Sequence, residues 1–292
     1  MNIFNSTFKP SKNYLYTCLF GIAALLGGAS PAFSANAPAL GTASSFAVLS
    51  AAPGSGGAVT CTDSVITGTV GSSGDPASVV QTRCAISGAI IAPVGVQVLV
   101  DFNAARDALS AEYCDHILTG TLADVTLAPG TYCFNAAATV TGTLTLSGPS
   151  NGIWIFKVGT GGTGALTGTN FSVVMANSGQ ACNVYWWVAE AATMTTSNFK
   201  GSILSGAAIT LTGGTFSGRA LAKAAVTLTG VAATGCASSS RGHDLPKQHC
   251  NQGVGNGSEG CDPGNSNQGD ASRSNDELGG MLGEPGRRGG NR

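Results

Sequence analysis

The sequence predicts a mainly β fold, a solenoid of stacked coils with one long helix beside it. A Thr-x-x-[Asn/Thr]-Phe motif begins at Thr167, Thr195 and Thr212, and its last two copies are 17 residues apart. A fixed period of this size is typical of stacked coils. Short apolar runs bounded by Gly, Pro, Ser and Asp predict strands, and one uninterrupted segment has helical periodicity.

The helical segment runs from Val98 to His116 and contains no Gly or Pro. Its apolar residues recur at helical spacing, while Asp101, Arg106, Asp107 and Glu112 fall off that stripe. We therefore expect a long amphipathic helix over 98–116 whose apolar stripe packs against the solenoid. The residues of the stripe are Val98, Phe102, Ala105, Leu109 and Tyr113.

The strands that follow the helix alternate Thr with apolar residues. Residues 121–236 contain 20 Thr and six charged residues. Neighbouring residues on a strand point to opposite faces, so Met194, Leu211 and Leu228 are predicted to stack inward and the Thr on either side outward. The phenylalanines of the repeat, Phe171, Phe199 and Phe216, are expected in the core. We also expect at least one of the adjacent Trp186 and Trp187 there.

The chain has three segments of different composition. Lys9 and Lys12 precede a short apolar stretch, and Ala32-Phe33-Ser34 resembles a cleavage site, so 1–34 is predicted to be a signal peptide. Residues 35–236 then form the solenoid domain. Residues 237–292 are polar, with almost no aliphatics, and are predicted to be a disordered tail. These features predict a secreted or cell-surface protein, and the net charge of −1 gives no indication of nucleic acid or membrane binding.

Eight cysteines follow the predicted signal peptide, an even number that favours disulfides in an exported protein. None forms a CxxC pair, so we expect no zinc site. Eight cysteines allow 105 pairings. Sequence proximity favours Cys61–Cys84, Cys114–Cys133, Cys182–Cys236 and Cys250–Cys261.

Several segments together resemble a known family, the type 1 ice-binding (DUF3494) domain. They are, in the family's order, Leu40–Leu49, Leu127–Phe134, Ile153–Gly159, Cys182–Val188, Gly201–Leu204 and Gly218–Ala222. The resemblance implies an irregular right-handed parallel β-helix with a long helix alongside, and binding to ice. The family motif Thr-[Ala/Gly]-x-[Thr/Asn] fits at Thr167 and at Thr212, whereas the copy at Thr195 departs from it at Thr196.

The predicted ice-binding site is a flat Thr-rich face of the β-helix. Thr offers a hydroxyl that can anchor water and a methyl group that orders water beside it, on a side chain that is stiff at χ1. Columns of Thr on stacked strands would form a regular grid. The residues predicted for this face are Thr141, Thr143, Thr167, Asn170, Thr193, Thr195, Asn198, Thr210, Thr212, Thr215, Thr227 and Thr229.

Two other classes of function remain to be weighed. Polysaccharide-cleaving enzymes on β-helices need clustered acidic or basic groups, and the charged residues here do not share a column, so we expect no catalytic site, metal or cofactor. The second hypothesis is a cell-surface or matrix protein on the same fold, whose flat face packs against another copy, a glycan or a cell wall. Effects on growing ice would separate these two hypotheses.

Overall fold

A computed structural model describes residues 35–236, whose strands pair in parallel around one apolar interior. The predicted mainly β solenoid is thus confirmed. Short 3-10 helices cover Gly41–Ser45, Pro76–Ser78 and Ala181–Asn183, and helix α1 covers Val96–Ala111. In chain order the strands are β1 (Phe46–Ser50), β2 (Val59–Thr62), β3 (Val65–Thr67), β4 (Thr69–Ser72), β5 (Val79–Thr82), β6 (Ala85–Ile86), β7 (Ile90–Ile91), β8 (His116–Leu118), β9 (Thr121–Leu127), β10 (Gly130–Phe134), β11 (Ala138–Ser147), β12 (Trp154–Val158), β13 (Leu166–Ala176), β14 (Val184–Val188), β15 (Ala192–Lys200), β16 (Ser202–Ser205), β17 (Ile209–Ser217), β18 (Ala220–Ala222), β19 (Val226–Thr229) and β20 (Ala232–Thr234).

The strands form two parallel sheets whose spatial order differs from the chain order. Sheet A runs β7-β4-β1-β18-β16-β14-β12-β10-β8, and the main path of sheet B runs β5-β2-β19-β17-β15-β13-β11-β9. The chain winds to one end of the solenoid by β7, follows α1 and resumes winding at the other end with β8. The last coil (β18, β19 and β20) therefore pairs with the first coil (β1, β2 and β3), at a place where no local sequence repeat brings them together.

Sheet B bends at a corner that divides it into two outer faces. Residues at the corner have positive φ, a conformation that Gly, Asn and Asp adopt most easily. We call the outer side of sheet A face A, the outer side of sheet B before the corner face B, and the outer side after it face C. The corner residues are Asp63, Arg83, Asp124, Gly142, Asn170, Thr196, Gly213 and Gly230.

Aromatic side chains fill the interior in a continuous stack. Trp186 lies 4.0 Å from Phe156 and 5.3 Å from Phe199 between ring centroids, and Phe199 stacks on Phe216 at 5.5 Å. Phe171 meets the edge of Phe199, so all three repeat phenylalanines are buried as predicted. Trp186 is fully buried, which confirms the expectation for the Trp pair. The interior is therefore closely packed between sheet A and the strands of face C.

Helix α1 lies on face A and is shorter than predicted. Phe102, Ala105 and Leu109 are buried as the helical spacing indicates, but the helix ends at Ala111 and Tyr113 is exposed. The end comes early because Cys114 is bonded to Cys133 of sheet A, which pulls the chain into β8 at His116. The predicted boundary at His116 is wrong for this reason.

A buried cation on α1 joins this helix to sheet A. Arg106, predicted off the buried stripe, is instead buried and donates hydrogen bonds from Nη1 to the carbonyl oxygens of Val188 and Leu204. Its guanidinium lies 5.3 Å from the ring centroid of Trp187, within cation–π range. Burial lowers the pKa of Arg106 to about 10, so it stays charged at neutral pH. The prediction that Arg106 is exposed failed because sequence spacing does not show that sheet A places two carbonyl acceptors opposite this residue.

Three disulfides cross-link the described chain. The bonds Cys61–Cys84, Cys114–Cys133 and Cys182–Cys236 are formed, in agreement with three of the predicted pairs. The first two lie in the terminal coils at opposite ends of the solenoid, and the third anchors the end of the described chain. The predicted Cys250–Cys261 bond, the signal peptide and the tail lie outside the described residues.

Candidate functional site

Face B carries two columns of threonines that run along the solenoid. The first column reads, from β5 to β9, Val80, Thr60, Thr227, Thr210, Thr193, Thr167, Thr139 and Thr121. The second column reads Thr82, Thr62, Thr229, Thr212, Thr195 and Thr169, and it continues past a register shift to Thr141 and Ala123. We call these two columns the Thr array, and fourteen of its sixteen positions, seven in each column, are Thr.

The array is regular because each strand repeats the same local pattern. Residues flanking the outward Thr point inward and are buried, for example Met194, Leu211 and Leu228. Pairing slips at the array residue Thr141, between Val140 and Gly142 in β11–β13, and at the corner, between Thr141 and Leu144 in β9–β11. Apart from the step between Thr169 and Thr141, the Thr positions on face B therefore stay level from strand to strand.

Gly168 is the one glycine at an inward position beneath the array strands, and packing requires it. A Cβ there would lie 2.2 Å from the Phe171 ring and 2.8 Å from the sulfur of Met194. The missing side chain lets these two large groups fill the interior without displacing β13. Thr167 and Thr169 on either side thus remain in line with their neighbours.

The exposed surface of the array is free of charge and its hydroxyls are free for water. Within residues 35–236, none of the fourteen Thr hydroxyls forms a hydrogen bond to another protein group. Strands stack about 4.8 Å apart and alternate residues lie about 7 Å apart, so eight strands give an array about 34 Å long and two columns wide. Such a surface can present many identical, weakly held water sites at once.

Face C, just beyond the corner, differs in chemistry. The hydroxyl of Thr215 donates to the side-chain oxygen of Asn198 at 2.9 Å, so it is already engaged. Lys200 introduces a charge, and the exposed Val174 is 41% accessible. A shallow depression of about 530 Å³ lies among these side chains and Met175. Face C is therefore less even than face B.

The structure divides the twelve predicted site residues between these surfaces. Eight belong to the Thr array: Thr141, Thr167, Thr193, Thr195, Thr210, Thr212, Thr227 and Thr229. Asn170 lies at the corner with φ 49°, whereas Thr143, Asn198 and Thr215 lie on face C. The expectation that all twelve share one face is wrong.

The error arises from the phase of the Thr-x-x-[Asn/Thr]-Phe motif. Thr167 pairs with Thr193 and Thr169 with Thr195, so the copy at Thr167 is two residues out of phase with the copy at Thr195. Only the copies at Thr195 and Thr212 are level. Copies of the motif match one another at their phenylalanines in the sequence. Strand pairing instead places the corner residues of these coils beside one another.

Six array threonines were missed: Thr60, Thr62, Thr82, Thr121, Thr139 and Thr169. A different pattern, Thr-x-Thr followed by a residue that tolerates positive φ, would have found four of them. It occurs at Thr60-Cys61-Thr62-Asp63, Thr139-Val140-Thr141-Gly142 and Thr167-Gly168-Thr169-Asn170. The corner residue sets the phase because it ends face B in each coil, as at Thr196 and Gly213, which directly follow the paired Thr195 and Thr212.

Charged groups elsewhere on the described chain serve the fold. Arg219 donates from Nε to the carbonyl oxygen of Ser44 at 2.9 Å, and burial lowers its pKa. Arg83 and Asp63 form an exposed bidentate ion pair at the corner, which lowers the pKa of Asp63. Residues 35–236 contain no group of three His, Cys, Asp or Glu that could hold a metal ion. Over the same residues, no helix has the length and apolar content of a membrane span.

Comparisons with known proteins agree on one family. A family model described as Ice-binding-like matches residues 49–234. An ice-binding protein of Nostoc sp. (strain HG1) is 36% identical over 204 residues, 68% of this chain and 72% of the relative. An ice-binding protein of Flavobacterium frigoris (strain PS1) is 31% identical over 58% of this chain and 66% of the relative, just under two thirds of its length.

Solved structures give the same result. The ice-binding protein of the Antarctic ascomycete Antarctomyces psychrotrophicus superposes with a TM-score of 0.62 at 30% identity, over 68% of this chain and 98% of that one. An ice-binding protein from an Antarctic bacterium, Flavobacteriaceae, superposes with a TM-score of 0.61 at 34% identity, over 68% of this chain and 47% of that one.

Proposed function

The chain belongs to the Ice-binding-like family, and from this membership we propose that it adsorbs to ice through the Thr array of face B. The observation that carries the proposal is the arrangement of fourteen threonines in two columns, whose pairing is continuous except for one shift beside Thr141. Neither face A, which α1 covers, nor the uneven face C offers a comparable surface. This proposal places the site on eight strands, including two from the first coils of the chain.

The chemistry of the array suits water held in a lattice. Each free hydroxyl can hydrogen-bond one water, while the adjacent methyl orders water without competing for it. The absence of charge along the two columns avoids strongly bound hydration shells that would disturb the lattice. Each contact is weak, but many act simultaneously on one rigid surface, so dissociation requires all of them to break together.

The rigidity of the array lowers the entropic cost of adsorption. The β-branch of Thr restricts χ1, and the paired backbone holds each Cβ in place. The aromatic stack from Phe156 through Trp186 to Phe216 fills the interior between sheet A and the strands of face C, and it leaves the solenoid little room to deform. The side chains are thus ordered before ice is bound.

We also propose that the protein acts outside the cytoplasm, as a secreted or cell-surface protein. The three disulfides of the described chain support this, because such bonds persist in oxidising compartments. The predicted signal peptide over 1–34 supports it independently. Adsorption to ice needs no catalytic group, metal or cofactor.

A pair of substitutions on one strand tests the site. Thr212 on face B and Thr215 on face C are both exposed residues of β17, three positions apart. We expect Thr212→Tyr to remove most of the thermal hysteresis, because one bulky ring holds the flat face off the crystal. Thr215→Tyr, on the other side of the corner, should leave thermal hysteresis close to that of the unsubstituted protein.

Circular dichroism and melting temperature serve as the folding control for both variants. Equal losses of hysteresis in the two variants, or an unchanged value in Thr212→Tyr, would refute the assignment to face B. A protein that neither shapes ice crystals nor inhibits recrystallisation, yet sediments with cell envelopes, would instead favour the adhesive role.

A further inference from the structure

Both ends of the described solenoid expose sheet edges without a neighbour. At one end β5 of sheet B and β7 of sheet A each pair on one side only, and at the other end β9 and β8 do the same. We call residues 79–91 the β5 end and residues 116–127 the β9 end. Unpaired edges of parallel sheets are templates for further strands, and β9 offers seven residues.

Apolar side chains are exposed at the same two ends. Val80 and Ile91 at the β5 end are 49% and 40% accessible, and Ile117 at the β9 end is 60% accessible. Exposed large apolar residues on a free edge favour pairing with another chain. A partner that covers these ends must therefore supply both backbone hydrogen bonds and apolar contacts.

The internal register matches one end to the other. The column of sheet B that contains Thr121 at the β9 end reaches Val80 at the β5 end, and the column with Ala123 reaches Thr82 across one register shift between β11 and β13. On face A, the column with Ile117 reaches Ile91. Because all strands are parallel, a translated second copy presents its β5 end to the β9 end of the first in the direction that the ladder already has.

The charges at the corner are complementary across such a junction. Asp124 occupies the corner at the β9 end, where Oδ1 accepts a hydrogen bond from the Thr143 N–H at 2.8 Å. Arg83 occupies the corner at the β5 end and binds Asp63 through Nε and Nη2. Stacking at about 4.8 Å would bring Asp124 of one copy beside Arg83 of the next.

We propose that copies of this chain associate end to end, with the β9 end of one copy against the β5 end of the next. The junction is heterologous, so it yields open chains of increasing length rather than a closed dimer. It also joins successive Thr arrays into one longer array. Association through such an open-ended contact depends on concentration, because each added copy forms one further junction. The inference stands whether or not face B binds ice.

Sedimentation velocity and small-angle X-ray scattering of the purified protein over a concentration series test the proposal. We expect the average mass to rise with concentration, the longest dimension to grow in steps of one solenoid length, and high salt to reduce both effects. Asp124→Asn keeps the hydrogen bond to Thr143 and tolerates positive φ but removes the charge. Ile117→Lys places a charge on the free edge. Both variants should remain monomeric with unchanged melting temperatures.

A matched control lies on the exposed side of α1, where Val100 is 52% accessible. Val100→Lys should associate as the unsubstituted protein does. The proposal is overturned by a protein that stays monomeric at every concentration, or by loss of association in Val100→Lys but not in Ile117→Lys, which would place the contact on the helix. Stronger association of Asp124→Asn would also overturn the proposal, since the charge of Asp124 would then prevent association at this edge instead of favouring it. In each case ice activity is measured separately, so the two proposals fail independently.

Discussion

The ammonium group of Lys157, on β12, lies 2.7 Å from the carbonyl oxygen of Ser110 in the last turn of α1. It donates a second hydrogen bond, also 2.7 Å, to the carbonyl oxygen of Glu112 just after the helix. The last carbonyls of a helix have no partner within it, and a cation there also interacts favourably with the helix dipole. Burial lowers the pKa of Lys157 below its ordinary value, and the nearby Glu112 carboxylate offsets only part of this shift. Lys157 thus caps α1 and fixes its end to sheet A.

We expect Lys157→Met to destabilise the protein by about 2 kcal/mol, because two carbonyl oxygens lose their donor in a largely buried place. For a domain of this size, the melting temperature should fall by roughly 4–8 °C. Lys200→Met, on face C, is the control and should change stability by no more than about 0.5 kcal/mol. Differential scanning calorimetry measures both, and equal effects would show that Lys157 has no capping role.

Thr196 is a β-branched residue in a left-handed backbone conformation. Its φ is 49° at the corner, where the neighbouring coil has Gly213 at the same level. This conformation costs a non-glycine residue about 1–2 kcal/mol, part of which glycine returns through its larger loss of chain entropy. Thr196→Gly should therefore raise the free energy of unfolding by about 1 kcal/mol.

Chemical denaturation measures that change, with Thr193→Gly as control. Thr193 belongs to a regular part of the same strand, so glycine there should destabilise the protein by about 0.5–1 kcal/mol. Effects of the same sign in the two variants would contradict the strain at Thr196.

Asp101 joins α1 to the 3-10 helix Gly41–Ser45. Its Oδ2 accepts hydrogen bonds from the N–H and the hydroxyl of Thr42, both 2.7 Å, and its Oδ1 accepts one from Gln97. The Thr42 hydroxyl bond, followed by the Thr42 N–H and Gln97, lowers the pKa of Asp101 below its ordinary value of 3.8. The unfolded chain therefore binds a proton at higher pH than the folded protein does. The stabilisation is present above pH 3.8 and is lost as pH falls through the folded pKa.

This dependence of stability on pH predicts the behaviour of Asp101→Asn. The melting temperature of the variant should lie below that of the unsubstituted protein near neutral pH, and the gap should narrow as pH falls below 3.8. Asp75→Asn, at an exposed position that forms no side-chain hydrogen bond within the described residues, should show no such narrowing. A gap that is constant with pH would mean that the carboxylate charge does not stabilise the contact.

The sequence predicted local features well and long-range ones poorly. Alternation placed Met194 and Leu211 in the core because a strand has period two, whatever its neighbours are. The burial of Arg106 was missed because its carbonyl partners, in Val188 and Leu204, are 82 and 98 residues away in the chain. Such contacts follow from the order in which coils stack, which sequence spacing does not encode.

The same limit explains why the first coils were missing from the predicted site. The 17-residue step links β15, β17 and β19, but β2 joins β19 only because the last coil stacks on the first. Thr60 and Thr62 precede the helix in sequence, so no repeat connects them with Thr227 and Thr229. Their place in the array is a property of the topology.

Thr62 therefore tests whether the array extends into the first coil. We expect Thr62→Tyr to lower thermal hysteresis several-fold, because the ring would stand above the same plane that contains Thr229 and Thr212. Thr67, an exposed residue of β3 in the same coil, lies on face C and gives the matched control. Thr67→Tyr should keep the hysteresis of the unsubstituted protein. If Thr62→Tyr also kept it while Thr212→Tyr did not, the working surface would end at β19 and the first coil would serve only to support it.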